Sequence, residues 1–291
     1  MIVVTAPTGQ IGGKLVSTLL THDEPVRLVV RNPAKLPAEV AERVEIVEGS
    51  HRDPDVLDRA LDGADALFWL MPAAATATSP YEAYVSASVP GADAVVRRAV
   101  PRVVIVSALG RGTQIYAGHV SASHAMEDLF RSTGAHVRAL ALPTFMDNVL
   151  RQVAAIRDGV VPGTLPAEFR MPWIATRDIA ELAAGYLLDH TWTGQDSVES
   201  LGGEDLSYDD IAGILTDVLG TPIRYERGER ADLERFLVSR GFSEAMARSM
   251  MDMDRAGERG INNATPRTAE NTTPTTFREF AEKTVKPALA A

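Results

Sequence analysis

The chain has 291 residues, 45% of them hydrophobic, with no cysteine and a formal net charge of -10. The missing cysteines exclude disulfides, thiolate catalysis and cysteine-ligated metals, so no metal site is expected and a reducing cytoplasm fits. The negative charge argues against nucleic acid, which needs a clustered basic surface, and no apolar run approaches the roughly 18–20 residues of a membrane span.

The N-terminal MIVVTAP lacks a basic segment and is interrupted by Pro7 and Gly9, so it reads as a first strand and not as a signal peptide. Strands are predicted over 2–5, 26–30, 44–47, 66–70, 103–107 and 137–142, and helices over 10–22, 54–61, 81–100 and 121–133. Such alternation with short connections predicts an α/β fold, a Rossmann-like parallel sheet with helices on both faces. Ligands in such sheets bind at the carboxyl ends of the strands. The second half is less regular. Helices are predicted over 178–189, with Asp178 capping or charging its start, over 207–219 between Ser207 and Gly220, and over 232–253. Residues 274–280 then lead into a short final helix.

After the first strand, Ala6-Pro7-Thr8-Gly9-Gln10-Ile11-Gly12-Gly13 opens a helix. A glycine-rich turn from strand to helix lets the backbone approach a pyrophosphate and aims amide N–H groups at it. Thr8, Gly9, Gln10, Ile11 and Gly12 are therefore the candidate pyrophosphate contacts. The turn departs from the usual pattern, because the first glycine is Ala6 and Pro7 removes a donor. Alanine fits if its φ is negative, so a loop of that shape is expected. At the end of the second strand an acidic residue selects the ribose hydroxyl of NAD(H), whereas a cation favours the 2′-phosphate of NADP(H). Arg31 occupies that place, with Lys35 as a helper, and NADP(H) is the expected cofactor.

These segments resemble the NmrA-like branch of the atypical short-chain dehydrogenases/reductases nearly end to end. The likeness runs through TAPTGQIGG, VRLVVRNPAKL, VEIVEGSHRD, VVIVSALG, HAMEDLFRSTG, LPTFMDN, MPWIATRDIAELAAGYLLD, GEDLSYDDIAGILTDVLGTPIRY, SRGFSEAMARSMMDM and TFREFAEK. The resemblance implies an NADP(H)-binding domain of residues 1–145 with 174–200, and a smaller, mostly helical substrate-side lobe of 146–173 with 201–291. It includes quinone and dye reductases, and also regulators that bind dinucleotides without turning them over. It leaves a homodimer open. Ser50 stands where relatives carry an aspartate beside the adenine, and Leu142-Pro143-Thr144 replaces Arg-Pro-Gly. Met71 and Pro72, after the fourth strand, fall near the nicotinamide.

Short-chain dehydrogenases protonate a carbonyl with a Tyr-x-x-x-Lys pair. Anchored on Glu127, that pattern falls on His119 and Ser123, so the pair is missing. Ser107 matches the substrate-contacting serine, or simply finishes a strand. His119 and His124 are the alternative proton donors, or structural histidines. Trp69, Tyr116, Phe145, Asn148 and Trp173 are the candidate substrate pocket. Phe236, Phe242, Met246, Met250, Met251 and Met253 offer a further apolar wall or a helix core. Asp147 caps the helix that follows it or orients substrate. The expected function is an NADPH-dependent oxidoreductase passing hydride to a quinone or similar conjugated, hydrophobic aromatic acceptor, which needs no enzymic acid. The alternatives are a non-catalytic NADP(H)-responsive regulatory protein, or an isomerase, dehydratase or coupling enzyme using the same cleft.

Overall fold

The computed structural model describes residues 1–290, which form two compact units. The first comprises residues 1–108, 121–141 and 179–198. Its strands are β1 (Ile2–Thr5), β2 (Val26–Val30), β3 (Glu45–Glu48), β4 (Ala66–Trp69), β5 (Arg102–Ala108) and β6 (His136–Leu142), with Gln195–Glu199 as an edge strand. The sheet runs Gln195–Glu199, β6, β5, β4, β1, β2, β3. β1 pairs in parallel with β2 and β4, β2 with β3, and β4 with β5. β1 and β4 are buried at every position, as strands covered on both faces must be. The chain reverses direction in the sheet between β1 and β4, so their carboxyl ends flank the crevice where such folds take ligands.

The helices that matter to this edge are α1 (Gln10–Leu19), α2 (Pro54–Ala60), α3 (Val89–Arg97) and α4 (His119–Arg131). The single helix predicted over 81–100 is in fact broken into Pro80–Tyr84, a 3-10 turn at Ser86–Ser88, and α3. Pro90 cannot donate to a helical ladder, and the fully buried Trp69 shapes the break. Its indole Nε1 donates to the Ser88 hydroxyl at 3.1 Å, and a Cβ on Gly91 would lie 2.4 Å from its ring.

The second unit comprises residues 109–120, 142–178 and the described residues from 199 onward. Thr144–Phe145, Met171–Ile174 and Glu204–Leu206 form a three-stranded sheet, and Val160–Gly163 pairs in parallel with Arg224–Arg227. Its core gathers Met146, Trp173, Leu206, Ile211, Leu215 and Phe277. The chain here also supplies the start of α5 (Thr176–Leu188), then α6 (Tyr208–Leu219), α7 (Arg230–Ser239) and α8 (Glu244–Glu258). α6 starts and stops where expected: Ser207 and Asp210 make a reciprocal capping box, and Gly220 takes the left-handed φ of +71°. The one helix expected over 232–253 is two, α7 and α8. Gly241, at φ +92°, leaves helical space, and the Ser243 hydroxyl restarts it by accepting from the Met246 amide at 3.1 Å.

One aspartate caps differently from the expectation, while Asp178 lies in the first turn of α5 as expected. Asp147 accepts from the Thr176 amide at 2.9 Å and its hydroxyl at 2.6 Å, so it caps α5, not the helical turn that follows it in sequence. Asp178 turns its carboxylate to the Thr275 amide and hydroxyl and pins the C-terminal segment to the start of α5. Among the described residues no helix is long and apolar enough to cross a membrane.

Candidate functional site

The site is built first by the turn between β1 and α1. The Thr5 hydroxyl donates to the Phe68 carbonyl at 3.0 Å and accepts from the Leu70 amide at 3.0 Å, locking the end of β1 to the end of β4. The chain then turns tightly, with the Gly9 amide donating to the Ala6 carbonyl at 3.1 Å. Gly9 is the N-cap of α1 and no side chain caps that helix, so its first-turn amides are left for an anion. Thr8, Gly9 and Gln10 are exposed, while Ile11 and Gly12 are buried beneath the turn. A Cβ on Gly12 would lie 2.2 Å from the Ala6 carbonyl oxygen, so only glycine permits this approach.

Ala6 itself overturns the expectation of a negative φ. It sits at φ +52°, in the left-handed region that costs an L-residue roughly 1–2 kcal/mol. The turn keeps the backbone path a glycine would take, and the alanine bears the strain.

The second wall is cationic. Arg31 is exposed just past β2, and Asn32 accepts from the Ala34 amide at 3.0 Å to start the 3-10 turn that carries the exposed Lys35. The Gly49 amide donates to the Val30 carbonyl at 3.0 Å, which continues the β2–β3 ladder into the loop 49–53. Ser50 accepts from the Arg52 amide at 3.2 Å, and Asp53 caps α2.

His51 and Arg52 were not among the sequence candidates. The His51 ring stands edge-on to Trp69 at 5.7 Å, and its Nε2 is buried with no hydrogen-bond partner. Burial above all, then the charges of Arg52 and Arg31, push its pKa down to about 4, so the ring is neutral near pH 7. The Arg52 guanidinium reaches the thioether of the buried Met71, 3.9 Å away, and Pro72 beyond it is exposed. The signal that was available was the run His51-Arg52 directly after the Gly-Ser that follows β3.

The candidate proton donors are all engaged. Ser107 is buried at the end of β5 and its hydroxyl donates to Glu127 at 2.8 Å. Glu127, 1% exposed, also accepts from Arg131 at 2.9 Å and Ser197 at 3.0 Å, which makes a buried ionic network. A carbonyl only accepts, so His124 Nε2 is the donor in its 2.9 Å bond to Ala108 O, and His119 Nε2 the donor, at 3.4 Å, to Met246 O. His119 is buried, and burial lowers its pKa against a smaller raising effect of that bond. Of the three, Ser107 and His124 share the first unit, while His119 starts α4 in the second.

The expected pocket residues divide. Trp69 is wholly enclosed in the first unit's core. Trp173 is 2% exposed, donates from its indole to the Leu206 carbonyl at 3.0 Å and packs edge-on to Tyr208, so it is core of the second unit. Phe145 and Asn148 are half-buried and Tyr116 is 57% exposed. Met246 and Met251 are core residues of α8, whereas Phe236 on α7 is exposed.

The chain matches the NmrA-like family over residues 1–281. It is 29% identical over 226 residues to a (4-alkanoyl-5-oxo-2,5-dihydrofuran-3-yl)methyl phosphate reductase of Streptomyces griseus, covering 78% of this chain and 76% of that protein. It is 27% identical over 260 residues to an NAD(P)H azoreductase of Xenophilus azovorans, covering 87% and 86%. The structure of the NADPH-dependent quinone oxidoreductase of Escherichia coli complexed with NADPH superposes with a TM-score of 0.79 at 21% identity, covering 96% of this chain and 98% of that one.

Proposed function

Since the chain belongs to the NmrA-like family, we propose that it is an NADP(H)-dependent oxidoreductase reducing a quinone or similarly conjugated aromatic acceptor without an enzymic acid. The residues fit the cofactor. The uncapped start of α1, the close approach at Gly12 and the cations beside β2 together suit a pyrophosphate and a 2′-phosphate. Thr8 to Gly12 hold the pyrophosphate, Arg31 and Lys35 the 2′-phosphate, Ser50 the adenine side, and Met71 and Pro72 the crevice wall past β4. When bound, NADPH supplies the hydride.

The observation that carries the acceptor class is the engagement of Ser107, His119 and His124. Each spends its proton on a carboxylate or carbonyl of the protein itself. A simple ketone would gain little from such groups, because its developing alkoxide needs a donor. A quinone or an azo or dye chromophore delocalises the charge, and water protonates it afterwards. What the protein contributes is orientation and exclusion of competing reactions. Tyr116, Phe145 and Asn148 are the residues we assign to acceptor contact. The names of the azoreductase, the conjugated-lactone reductase and the quinone oxidoreductase agree with that class.

The test is NADPH oxidation followed at the nicotinamide absorbance against a panel of quinones, azo compounds, triphenylmethane dyes and simple ketones. Turnover confined to the conjugated acceptors is expected. Tight NADPH binding with no turnover on any of them would overturn the proposal.

A further inference from the structure

The chain is acidic, with 39 carboxylate residues against 29 lysines and arginines, and its arginines are mostly engaged. Arg27 pairs with Glu45, Arg97 with Asp58, Arg131 with Glu127, Arg177 with Glu279, and Arg230 with Asp254 and Glu258. Arg31, Lys35 and Arg52 are different. Among the described residues none of them has a carboxylate within ion-pair distance, and they gather at one edge of the first unit. Three unpaired cations in an acidic protein repel each other unless an anion joins them.

The fold says where that anion sits. β3 lies beyond β2 and β1 from β4 in the sheet. Yet the loop after β3 places the His51 ring on Trp69, in β4, and the Arg52 guanidinium on Met71, just past β4. The loop therefore leans across the carboxyl ends of β2 and β1, over the crevice beside the glycine turn. Glu82 feels the charge of Arg52 but makes no ion pair with it. Its carboxylate is held by the Thr78 hydroxyl and amide at 2.5 and 2.6 Å. Those bonds first, with Arg52 as a minor contributor, hold its carboxyl below the usual range.

We infer that Arg52 is a second reader of the 2′-phosphate of NADP(H), joined to Arg31 across the carboxyl ends of β1 and β2, with the His51–Trp69 contact positioning its loop. This rests on the NADP(H) reading and adds a residue to it. A dianion takes two guanidiniums better than one, since each offers a planar fork of donors. Ser50, which lacks the charge of the aspartate expected there, leaves the cationic character of this loop undiminished.

The full chain, titrated calorimetrically with NADPH, NADH, 2′-AMP and 5′-AMP, tests it. Arg52→Ala is expected to weaken NADPH and 2′-AMP binding by about 10- to 100-fold, the usual effect of losing a charged hydrogen-bond partner. It should leave NADH binding within about twofold, which also reports that the fold is intact. Arg52→Lys, which keeps the charge but not the fork, should fall between. If Arg52→Ala keeps the wild-type ratio of NADPH to NADH affinity while Arg31→Ala collapses it, the role of Arg52 is overturned and the cofactor reading stands. If the wild-type chain binds neither dinucleotide, both are overturned.

Discussion

Replacing Ala6 with glycine should stabilise the protein. Ala6 holds φ +52°, where an L-residue is disfavoured by roughly 1–2 kcal/mol. Glycine escapes that cost but frees the unfolded chain, which opposes the gain by about 0.4–1 kcal/mol. The difference leaves Ala6→Gly more stable by about 1 kcal/mol or slightly less. Urea unfolding followed by circular dichroism should show a higher midpoint with an unchanged slope. The partner experiment is Gly12→Ala. Its new Cβ would meet the Ala6 carbonyl oxygen at 2.2 Å, the Ala6 carbonyl carbon at 2.9 Å and the Pro7 Cα at 3.0 Å. All three are backbone atoms with no free end to swing aside, so the turn must move, at a cost of about 1–3 kcal/mol and with loss of NADPH affinity. In the double variant glycine at position 6 lets the carbonyl yield, so the costs should not add. A lower midpoint for Ala6→Gly, or a Gly12→Ala variant with unaltered stability and NADPH binding, would refute this account of the turn.

The remaining expectations concern single side chains. His51 has a folded pKa of about 4 against 6.5 in the unfolded chain, so on acidification the unfolded state takes the proton first. Its contribution is fully present above pH 6.5 and shrinks towards pH 4, by about 3 kcal/mol in total, so the stability of wild type relative to His51→Gln should fall by that amount across the window. Ser107→Ala should lower stability by about 1–2 kcal/mol through the Glu127 bond, yet leave kcat for a quinone within about threefold. A loss of two orders of magnitude in a folded variant would put the hydroxyl on the acceptor. Asp147→Ala removes both bonds to Thr176 from a buried cap and should cost about 2 kcal/mol or more in thermal or urea unfolding.

What could be read from the residues follows from how local each signal is. The strands and α1 are legible because periodicity and the glycine turn act over a few neighbours. Ser207 and Gly220 mark α6 for the same reason: the capping box is written within Ser207–Asp210, and the left-handed stop in Gly220 alone. The break within 81–100 is not legible in this way. It depends on Trp69, some twenty residues upstream, seating its indole against Ser88 and Gly91. Asp147 was legible as a cap but not as the cap of α5, because its partner, Thr176, lies 29 residues on. Arg52 was missed because its meaning comes from the order of the strands: beside β3 it looks like a solvated arginine, and only β4 as its neighbour places it over the crevice.

The same distinction bears on the chemistry. Anchoring the Tyr-x-x-x-Lys pattern on Glu127 is a reading of the sequence, and it leaves Ser107, His119 and His124 equally available as substitutes. Their partners favour the proposal that none of them acts as an acid. A proton donated to Glu127, to Ala108 O or to Met246 O is not simultaneously offered to a substrate, and taking it back exposes a buried acceptor at a cost of about 1–3 kcal/mol. Glu127 is engaged in the same way, accepting from Arg131 and from the Ser107 and Ser197 hydroxyls. An acceptor that needs a proton in the transition state would therefore work against the site. One that spreads the incoming charge over a conjugated system would ask of the protein only the role proposed for the turn at Ala6–Gly12 and the cationic edge at Arg31 and Arg52, a cofactor held still.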